Sequence, residues 1–231
     1  MLNYENFLKK GVDYTFINPY SYLILRKFRK EILMGSDFVI LLDGFFLVLI
    51  LKIFGIKNIE RVSFDDSSLA PHVFKDCSEH KKTIALIGSA PNITQQAKEI
   101  LEKRYPNIQI NYVENGFYKS NEEQRVIANA LLCDVVICSM GTPKQEDLLV
   151  KLRELNWDGT GYTCGGYLDQ LVSAKGEDYY PYYIDKFNMR WLYRIYKEPR
   201  RLLFRYLIDY PKGILVFIYD YILLKRNINL K

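Results

Sequence analysis

The amino-acid sequence predicts an α/β protein: a Rossmann-like parallel sheet with helices on both faces, plus a basic helical appendage at the C-terminal end. One observation is that short apolar segments alternate with longer amphipathic segments between residues 83 and 166, as they do in right-handed βαβ units. Another is that glycines follow several of the apolar segments. From residue 187 a helical pattern replaces the alternation. We therefore place an α/β domain at 1–185 and the appendage at 186–231.

The first third of the chain contains the most apolar stretch. Residues 14–20 predict a strand that ends at Pro19, and residues 22–33 predict a basic amphipathic helix. Residues 38–54, FVILLDGFFLVLILKIF, are too short for a transmembrane span of about 20 apolar residues and contain Asp43 and Lys52. They predict a buried strand at 38–42, a turn at Asp43 and Gly44, and a buried helix at 45–54. Asp43 has an alternative interpretation as a helix N-cap.

Residues 59–82 predict a loop and a short helix, and the regular alternation follows. Strands are predicted at 83–89, 108–113, 134–138 and 161–164, with helices at 94–104, 121–132 and 145–155. Ligands of parallel sheets bind beyond the carboxyl ends of the strands. The residues there let a phosphate or sugar approach the backbone: Gly88, Ser89, Gly116, Gly141, Thr142, Gly165 and Gly166.

The organising segment is CDVVICSMGTPKQED, residues 133–147. A strand, a glycine turn and a helix start aim backbone N–H groups at a phosphate, with Lys144 and Gln145 at the mouth of the turn. An ordinary βα connection is the alternative. Glycine fingerprints of dinucleotide and P-loop sites are missing, as is an Asp-x-Asp pair for a divalent ion. The sequence therefore predicts neither a cofactor nor a metal site.

Charge and cysteines limit the class of partner. The net charge is +5, yet residues 186–231 contain 11 Lys and Arg against three Asp and Glu, which predicts an anionic partner such as a membrane or nucleic acid. Tyrosine and tryptophan among these cations are typical of an interfacial membrane helix, and Pro199 divides the segment into two helices. No nucleic-acid module accompanies them. A solvated basic face is the alternative. The four cysteines predict buried thiols in a reducing compartment, and no signal peptide is recognised.

Taken in order, several short segments resemble the WecG/TagA/CpsF glycosyltransferases (glycosyltransferase family 26). The resemblance extends from about residue 18 to 211. It rests on Asn18-Pro19, Asp43-Gly44, Arg61-Val62, Gly88-Ser89, Tyr105-Pro106, Asn115-Gly116-Phe117, MGTPKQE at 140–146, Gly165-Gly166-Tyr167-Leu168-Asp169 and RWLYRIYKEPRRLLFRY at 190–206. The PKQE and EPRR segments are the most specific.

The resemblance implies an inverting, metal-independent transfer of a sugar from a UDP-sugar to a polyprenyl-diphosphate-linked sugar. Members of the family act peripherally at the cytoplasmic face of the bacterial plasma membrane, in synthesis of teichoic acid, capsule or related polysaccharides. The resemblance thus implies a UDP-sugar, a lipid-linked acceptor and an anionic membrane surface as partners, and no nucleic acid. It leaves the sugars, the linkage and homo-oligomer formation open.

The resemblance also assigns roles to residues. Asp43 corresponds to the catalytic base, and Asn18, Arg61 and Gln145 correspond to substrate-binding residues. Phe16 stands where the family usually has threonine, so Thr15 beside it is included as substrate-binding. The predicted UDP-binding residues are Gly88, Ser89, Gly141, Thr142, Lys144, Gly165, Gly166 and Asp169. Those predicted for the lipid diphosphate or the membrane are Arg190, Arg194, Arg200, Arg201 and Arg205.

Two other functions are compatible with the pattern. One is a Rossmann-like enzyme that uses a nicotinamide or methyl donor, and the missing glycine fingerprint argues against it. The other is a non-catalytic, membrane-associated assembly protein for polysaccharide. A preference for NAD over UDP would favour the first, and failure to bind UDP the second.

Overall fold

A computed structural model describes residues 3–35, 37–177, 179–181, 183–184 and 189–227, without the side chains of residues 201 and 224–227. The chain forms two compact units. The sheet unit comprises Met1–Phe16, Met34–Leu41 and Val62–Tyr179. The helical unit comprises Ile17–Leu33, Leu42–Arg61 and Tyr180–Lys231. Each unit is therefore assembled from segments that are distant in sequence.

A six-stranded sheet organises the described part of the chain. Its strands are β1 (Asp13–Ile17), β2 (Phe38–Leu42), β3 (Thr83–Gly88), β4 (Gln109–Glu114), β5 (Val135–Ser139) and β6 (Thr160–Thr163). They lie in the order β2-β1-β6-β5-β3-β4, and the sheet is parallel. The chain leaves β3 for β4 on one side and later returns to β5 on the other. The order thus reverses between β3 and β5, where open α/β sheets bind ligands.

Helices cover both faces of this sheet. They are α4 (Ala70–Glu79), α5 (Pro91–Arg104), α6 (Glu123–Ala130), α7 (Lys144–Glu154) and α8 (Tyr167–Ser173). One core joins strand residues such as Leu86 and Ile137 to Phe74 of α4, Leu101 of α5 and Leu168 of α8, all fully buried. Helix α7 buries its leucines outside that core, as expected when successive strand residues point to opposite faces. This agrees with the predicted fold class.

The helical unit contains the N-terminal helices and the basic C-terminal segment. Its helices are α1 (Pro19–Phe28), α3 (Phe45–Ile53), α9 (Arg190–Lys197), α10 (Pro199–Phe204), a π-helix (Arg205–Asp209) and α11 (Tyr210–Asn227), with α2 (Lys30–Met34) continuing from it into the sheet unit. Helix α11 packs on α1, because Asp220 accepts hydrogen bonds from Arg26 Nε at 2.5 Å and from the Tyr22 hydroxyl at 2.8 Å. A Cβ at Gly213 would lie 2.0 Å from the Pro19 carbonyl oxygen. Only glycine therefore permits this approach.

Most predicted elements are confirmed with shifted ends, and one alternative is wrong. Strand β2 has the predicted bounds, and Pro199 begins a second basic helix. The basic helix predicted at 22–33 instead starts at Pro19 and breaks into α1 and α2, because Asn18 caps it and proline is favoured in the first turn. The N-cap of α3 is Gly44, so Asp43 is not the helix cap.

Two further predictions concern the apolar stretch and the cysteines. Across the residues that the structure describes, no helix combines the length and apolarity required to cross a bilayer. Cys77, Cys133, Cys138 and Cys164 are buried and none forms a disulfide. Burial raises the pKa of Cys133 to about 11, so this thiol stays protonated at neutral pH. The prediction of buried thiols is confirmed.

Candidate active site

Within the helical unit, Asp43 lies directly after β2 and forms an ion pair with Arg61. The Arg61 Nη2 atom donates to Asp43 Oδ1 at 2.7 Å, and Arg61 Nε donates to the main-chain oxygen of Asp43 at 2.9 Å. The Asp43 N–H donates to the Ile17 carbonyl at 2.9 Å. The Asp43 side chain is 29% exposed. Backbone and carboxylate are thus both held, while the carboxylate remains accessible to solvent.

Asn18 lies beside this pair. A Cβ at Gly44 would stand 3.2 Å from the Cα of Asn18, so the chain segments before α1 and α3 are in direct contact. The Asn18 side-chain oxygen accepts from the N–H groups of Tyr20 and Ser21 at 3.0 and 3.1 Å. The structure therefore brings Asn18, Asp43 and Arg61 together, and it shows that Asn18 also caps α1.

The basic residues of the C-terminal segment have different surroundings. Arg205 lies over the Tyr20 ring at 4.0 Å, and Arg190 lies over the Tyr180 ring at 4.9 Å. Arg200 is exposed, and the side chain of Arg201 lies outside the described residues. The predicted basic surface is thus partly engaged in cation–π contacts within the helical unit.

Arg194 is half-buried, and it differs from the others in the surroundings of its guanidinium. Its Nε atom is buried and has no hydrogen-bond partner within the described part of the chain. Burial alone lowers the pKa of Arg194, but neighbouring tyrosines and Asp43 hold it above its ordinary value. A guanidinium with an unsatisfied buried N–H, within electrostatic range of Asp43, is a candidate for binding an anion.

In the sheet unit, the ends of β3 and β5 meet at the point where the strand order reverses. The Ser89 N–H donates to the Ser139 carbonyl at 2.8 Å. Gly88 has φ of +143°, and a Cβ there would lie 2.3 Å from the Ser139 carbonyl oxygen. Glycine is thus required at 88 by both conformation and close approach. The two strand ends form one continuous surface.

Hydroxyl groups extend this surface to β6 and α8. Ser89 Oγ lies 3.1 Å from Ser139 Oγ and donates to Asp169 Oδ2 at 2.7 Å. Ser139 Oγ donates to the Gly165 carbonyl at 2.6 Å. The structure therefore brings together the predicted residues Ser89, Gly165 and Asp169. Ser139 belongs to the same surface but was not among the predicted site residues.

Gln145 joins the turns that follow β5 and β6. Its Oε1 accepts from the Gly165 N–H at 3.2 Å, and its Nε2 donates to Thr142 Oγ1 at 3.3 Å. Gln145 is only 3% exposed, whereas Lys144 beside it is exposed. The sequence predicts both Lys144 and Gln145 at the mouth of the turn. In the structure only Lys144 lies at the surface there, and Gln145 is buried beneath it.

Glu146 was not predicted, although it is the most buried carboxylate near these turns. It is fully buried, and its Oε1 accepts from Thr15 Oγ1 at 2.9 Å. Thr15 is also fully buried and is linked to Thr163 at 3.1 Å. Helical spacing places Glu146 on one face with the buried Leu149, three residues later. That spacing was the available signal in the sequence.

The helices after β3, β5 and β6 all begin without a side-chain cap. This holds for α5, α7 and α8, whose N-cap residues are Ala90, Pro143 and Gly166. The first N–H groups of a helix require a partner, and anions are suitable partners. Among the described residues, no group of three or more His, Cys, Asp or Glu side chains is arranged to hold a metal ion.

Comparison with known proteins gives matches over most of the chain. The family described as Glycosyl transferase WecG/TagA/CpsF matches residues 5–227. The chain is 37% identical over 211 residues to a Shigella boydii protein named UDP-Gal:alpha-D-GlcNAc-diphosphoundecaprenol beta-1,4-galactosyltransferase, covering 88% of this chain and 84% of that protein.

Proteins named N-acetylglucosaminyldiphosphoundecaprenol N-acetyl-beta-D-mannosaminyltransferase also match. The one from Bacillus spizizenii is 26% identical over 206 residues, which are 89% of this chain and 78% of that protein. The one from Staphylococcus aureus is 30% identical over 152 residues, which are 64% of this chain and 55% of that protein. The matched relatives thus differ in the sugar that their names say is transferred.

Proposed function

This chain belongs to the glycosyl transferase WecG/TagA/CpsF family, and from that premise we propose that it moves a hexose from a UDP-sugar to a polyprenyl-diphosphate-linked sugar, with inversion and without a metal ion. It is a glycosyltransferase of cell-surface polysaccharide synthesis. The two other functions compatible with the sequence, a nicotinamide- or methyl-donor enzyme and a non-catalytic assembly protein, are therefore set aside.

The names of the relatives support the choice of acceptor. The Shigella and Bacillus proteins are named for different transferred sugars, galactose and N-acetylmannosamine. Both names contain the same acceptor, N-acetylglucosamine on diphosphoundecaprenol. We therefore assign this chain an acceptor of that class. The donor is assigned as a UDP-hexose, since the Shigella protein is named for UDP-Gal.

The observation that carries the mechanism is the position of Asp43. Its carboxylate does not cap α3, is held by Arg61, and is partly exposed. A carboxylate kept at the end of an apolar strand without a capping role is available as a general base. We assign to Asp43 the role of removing the proton from the attacking acceptor hydroxyl.

The reaction is then a single displacement. The acceptor oxygen attacks the anomeric carbon of the donor sugar while the bond from that carbon to the diphosphate breaks. The hydroxyl proton passes to Asp43, and the electron pair of the broken bond stays on the UDP. Attack from the face opposite the leaving group inverts the anomeric configuration. General-base assistance of this kind contributes about 10²–10⁴-fold to the rate.

We assign the binding of UDP to the sheet unit. The starts of α5 and α7, which have no side-chain cap, direct positive helix ends toward phosphate oxygens. Exposed Lys144 adds a positive charge. The exposed Asp169, whose carboxylate accepts a hydrogen bond from Ser89, is assigned to bind a ribose hydroxyl of UDP. The assigned UDP-binding residues are Gly88, Ser89, Gly141, Thr142, Lys144, Gly165, Gly166 and Asp169.

We assign membrane contact to the helical unit. On α3, Phe45, Leu49 and Ile53 are exposed, and Ile53 is 74% exposed. Their spacing of four residues places them on one side of the helix. In the C-terminal segment, exposed apolar and aromatic residues accompany the cations: Trp191, Tyr196, Phe204, Leu207, Leu215 and Tyr219. Apolar side chains beside basic residues favour peripheral binding to an anionic bilayer.

A transfer assay tests the proposal. Purified protein is incubated with radiolabelled UDP-galactose, UDP-glucose or UDP-N-acetylmannosamine and a short-chain lipid diphosphate of N-acetylglucosamine, and products are identified by mass spectrometry. We expect one added hexose and release of UDP with one of these donors. Transfer from a donor carrying another nucleotide, with none from UDP-sugars, would overturn the donor assignment. Thermal-shift measurements with UDP and NAD provide an independent comparison of nucleotides.

A further inference from the structure

The buried carboxyl group of Glu146 collects three hydrogen-bond donors on one oxygen. Its Oε1 accepts from Thr15 Oγ1 at 2.9 Å, from Gln145 Nε2 at 3.1 Å and from Thr142 Oγ1 at 3.2 Å. These donors come from β1, from α7 and from the turn between β5 and α7. Glu146 is therefore the common acceptor for three segments of the sheet unit.

The other oxygen, Oε2, is buried and has no partner within the described part of the chain. Burying a carboxyl group without satisfying both oxygens is unfavourable. Burial raises the pKa of Glu146 above its ordinary value, against the lowering by its hydrogen bonds from Gln145, Thr15 and Thr142. An apolar residue of similar size would fill the same space without the desolvation penalty of a buried carboxyl group, so stability alone does not explain this side chain.

Glu146 determines the orientation of the Gln145 amide. With Nε2 directed to Glu146 and Thr142, the amide oxygen faces the Gly165 N–H, which donates to it at 3.2 Å. If the amide turned over, Nε2 would face that N–H and the amide oxygen would face the Glu146 carboxylate, so the hydrogen bonds with Gly165 and Glu146 would be lost. The turn at Gly141 and Thr142 and the turn at Gly165 are thus linked through one amide group, and Glu146 fixes that group.

We propose that Glu146 is a positioning residue for the nucleotide diphosphate: its Oε1 holds Gln145 and Thr142, and through them it fixes the turns after β5 and β6 in the arrangement that binds UDP. The proposal rests on the proposed function. It assigns Thr15, which is fully buried, to the support of Glu146 and not to direct contact with substrate. The proposal requires the length of the Glu146 side chain, which we call its reach, and does not require its charge.

Two conservative variants separate reach from charge. Glu146→Gln keeps the length and an acceptor oxygen but removes the ionisable group. Glu146→Asp keeps the carboxyl group but withdraws it from Gln145 and Thr142 by one methylene. We expect Glu146→Gln to bind UDP within about threefold of wild type, and Glu146→Asp to bind at least about tenfold more weakly, as expected from the loss of one or two hydrogen bonds.

The test is calorimetric titration of the full chain with UDP, below the melting temperature of every variant. Asp13→Asn is the matched control, because Asp13 is also a fully buried carboxylate of the sheet unit but is paired with Arg153 at 2.7 Å, at the start of β1. This control should lower the melting temperature and leave UDP affinity unchanged. A merely structural role for Glu146 predicts that both of its variants behave like this control.

Each result decides between the hypotheses. Weak binding by Glu146→Asp with retained binding by Glu146→Gln supports positioning by reach. Wild-type affinity in both variants would overturn it, as would weak binding by Glu146→Gln, which would indicate that the charge is needed. A wild-type protein that binds no UDP would instead contradict the proposed function itself. The two proposals therefore fail in distinguishable ways.

Discussion

Arg61 contacts Asp43 at two points, with Nη2 donating to the carboxylate at 2.7 Å and Nε donating to the main-chain oxygen at 2.9 Å. One planar guanidinium thus fixes both the side chain and the peptide unit of the same residue. A lysine ammonium has no such rigid fork, so it would not fix the relative orientation of the two oxygens in the same way. The carboxylate is thereby oriented without being removed from solvent, which suits a group that must receive a proton.

Replacement of Asp43 by asparagine should separate basicity from every other role of the residue. Asparagine keeps the shape and one acceptor oxygen for Arg61, but it cannot take a proton. We expect turnover to fall by about two to four orders of magnitude, with little change in UDP affinity. Turnover is measured beside the melting temperature and UDP affinity. Activity within about threefold of wild type would exclude Asp43 as the base, given that expected loss.

Removal of divalent ions should not affect UDP binding. The proposed diphosphate site uses helix N-termini and Lys144, and these need no metal to neutralise charge. Titration calorimetry with UDP in EDTA and in excess magnesium should therefore give the same affinity within about twofold. A loss of affinity in EDTA that magnesium restores would contradict the metal-independent assignment. ADP serves as the control for base-specific binding.

Charged substitutions on α3 should weaken binding to vesicles that contain anionic lipid. Leu49 and Ile53 are both exposed on α3, and each apolar side chain of this size contributes about 1.5–3 kcal/mol when it leaves water. We expect Leu49→Asp with Ile53→Asp to reduce vesicle flotation at least about tenfold. Leu132→Asp, at an exposed leucine of the sheet unit, is the control and should float like wild type. Equal flotation of all three proteins would show that α3 does not contact lipid.

Substitution of Asp220 should loosen α11 in a pH-dependent manner. Burial raises the pKa of Asp220, but the hydrogen bonds from Arg26 and Tyr22 hold it below its ordinary value. The stabilisation is therefore present above the ordinary aspartate pKa of about 3.9 and is lost as pH falls through the lowered value. Asp220→Asn should reduce the free energy of unfolding by about 1–3 kcal/mol at pH 7.

Urea unfolding at pH 7 and pH 3 tests this expectation. The difference between Asp220→Asn and wild type should shrink at the lower pH, because Asp220 of the unfolded chain, with its ordinary pKa, is then mostly protonated and must lose that proton to form the ion pair. Asp158→Asn is the control, since the pair between Lys10 and Asp158 is largely exposed, and it should unfold like wild type at both pH values. A loss that is the same at pH 7 and pH 3 would show that the charge of Asp220 is not the cause.

The sequence was sufficient where one local pattern determines the structure. Strand β2 has the predicted bounds, because five apolar residues followed by Asp43 and Gly44 admit few alternatives. The pattern predicts the start of this helix at residue 22, whereas α1 starts at Pro19 although its signals, Asn18 before Pro19, are local. The same two residues also fit the end of the predicted strand at 14–20, so the pattern does not distinguish the two.

The candidate site was only partly accessible from the sequence. The glycine turns could be located because glycine itself marks a close approach, as at Gly88. Helical spacing indicates that Glu146 is buried, but its role could not be predicted, because that role depends on Thr15, which lies 131 residues away in the chain. The assembly of the helical unit from three distant segments could not be predicted either, for the same reason. Long-range contacts of single polar atoms leave no periodic signal.

Helix α3 begins two residues after Asp43 and is nine residues long, or about 13 Å at 1.5 Å per residue. Its exposed side starts at Phe45, so the residues assigned to lipid contact and the proposed base belong to one short, continuous stretch of chain. Binding of this side of α3 to a bilayer would therefore place the base next to the lipid surface that presents the acceptor.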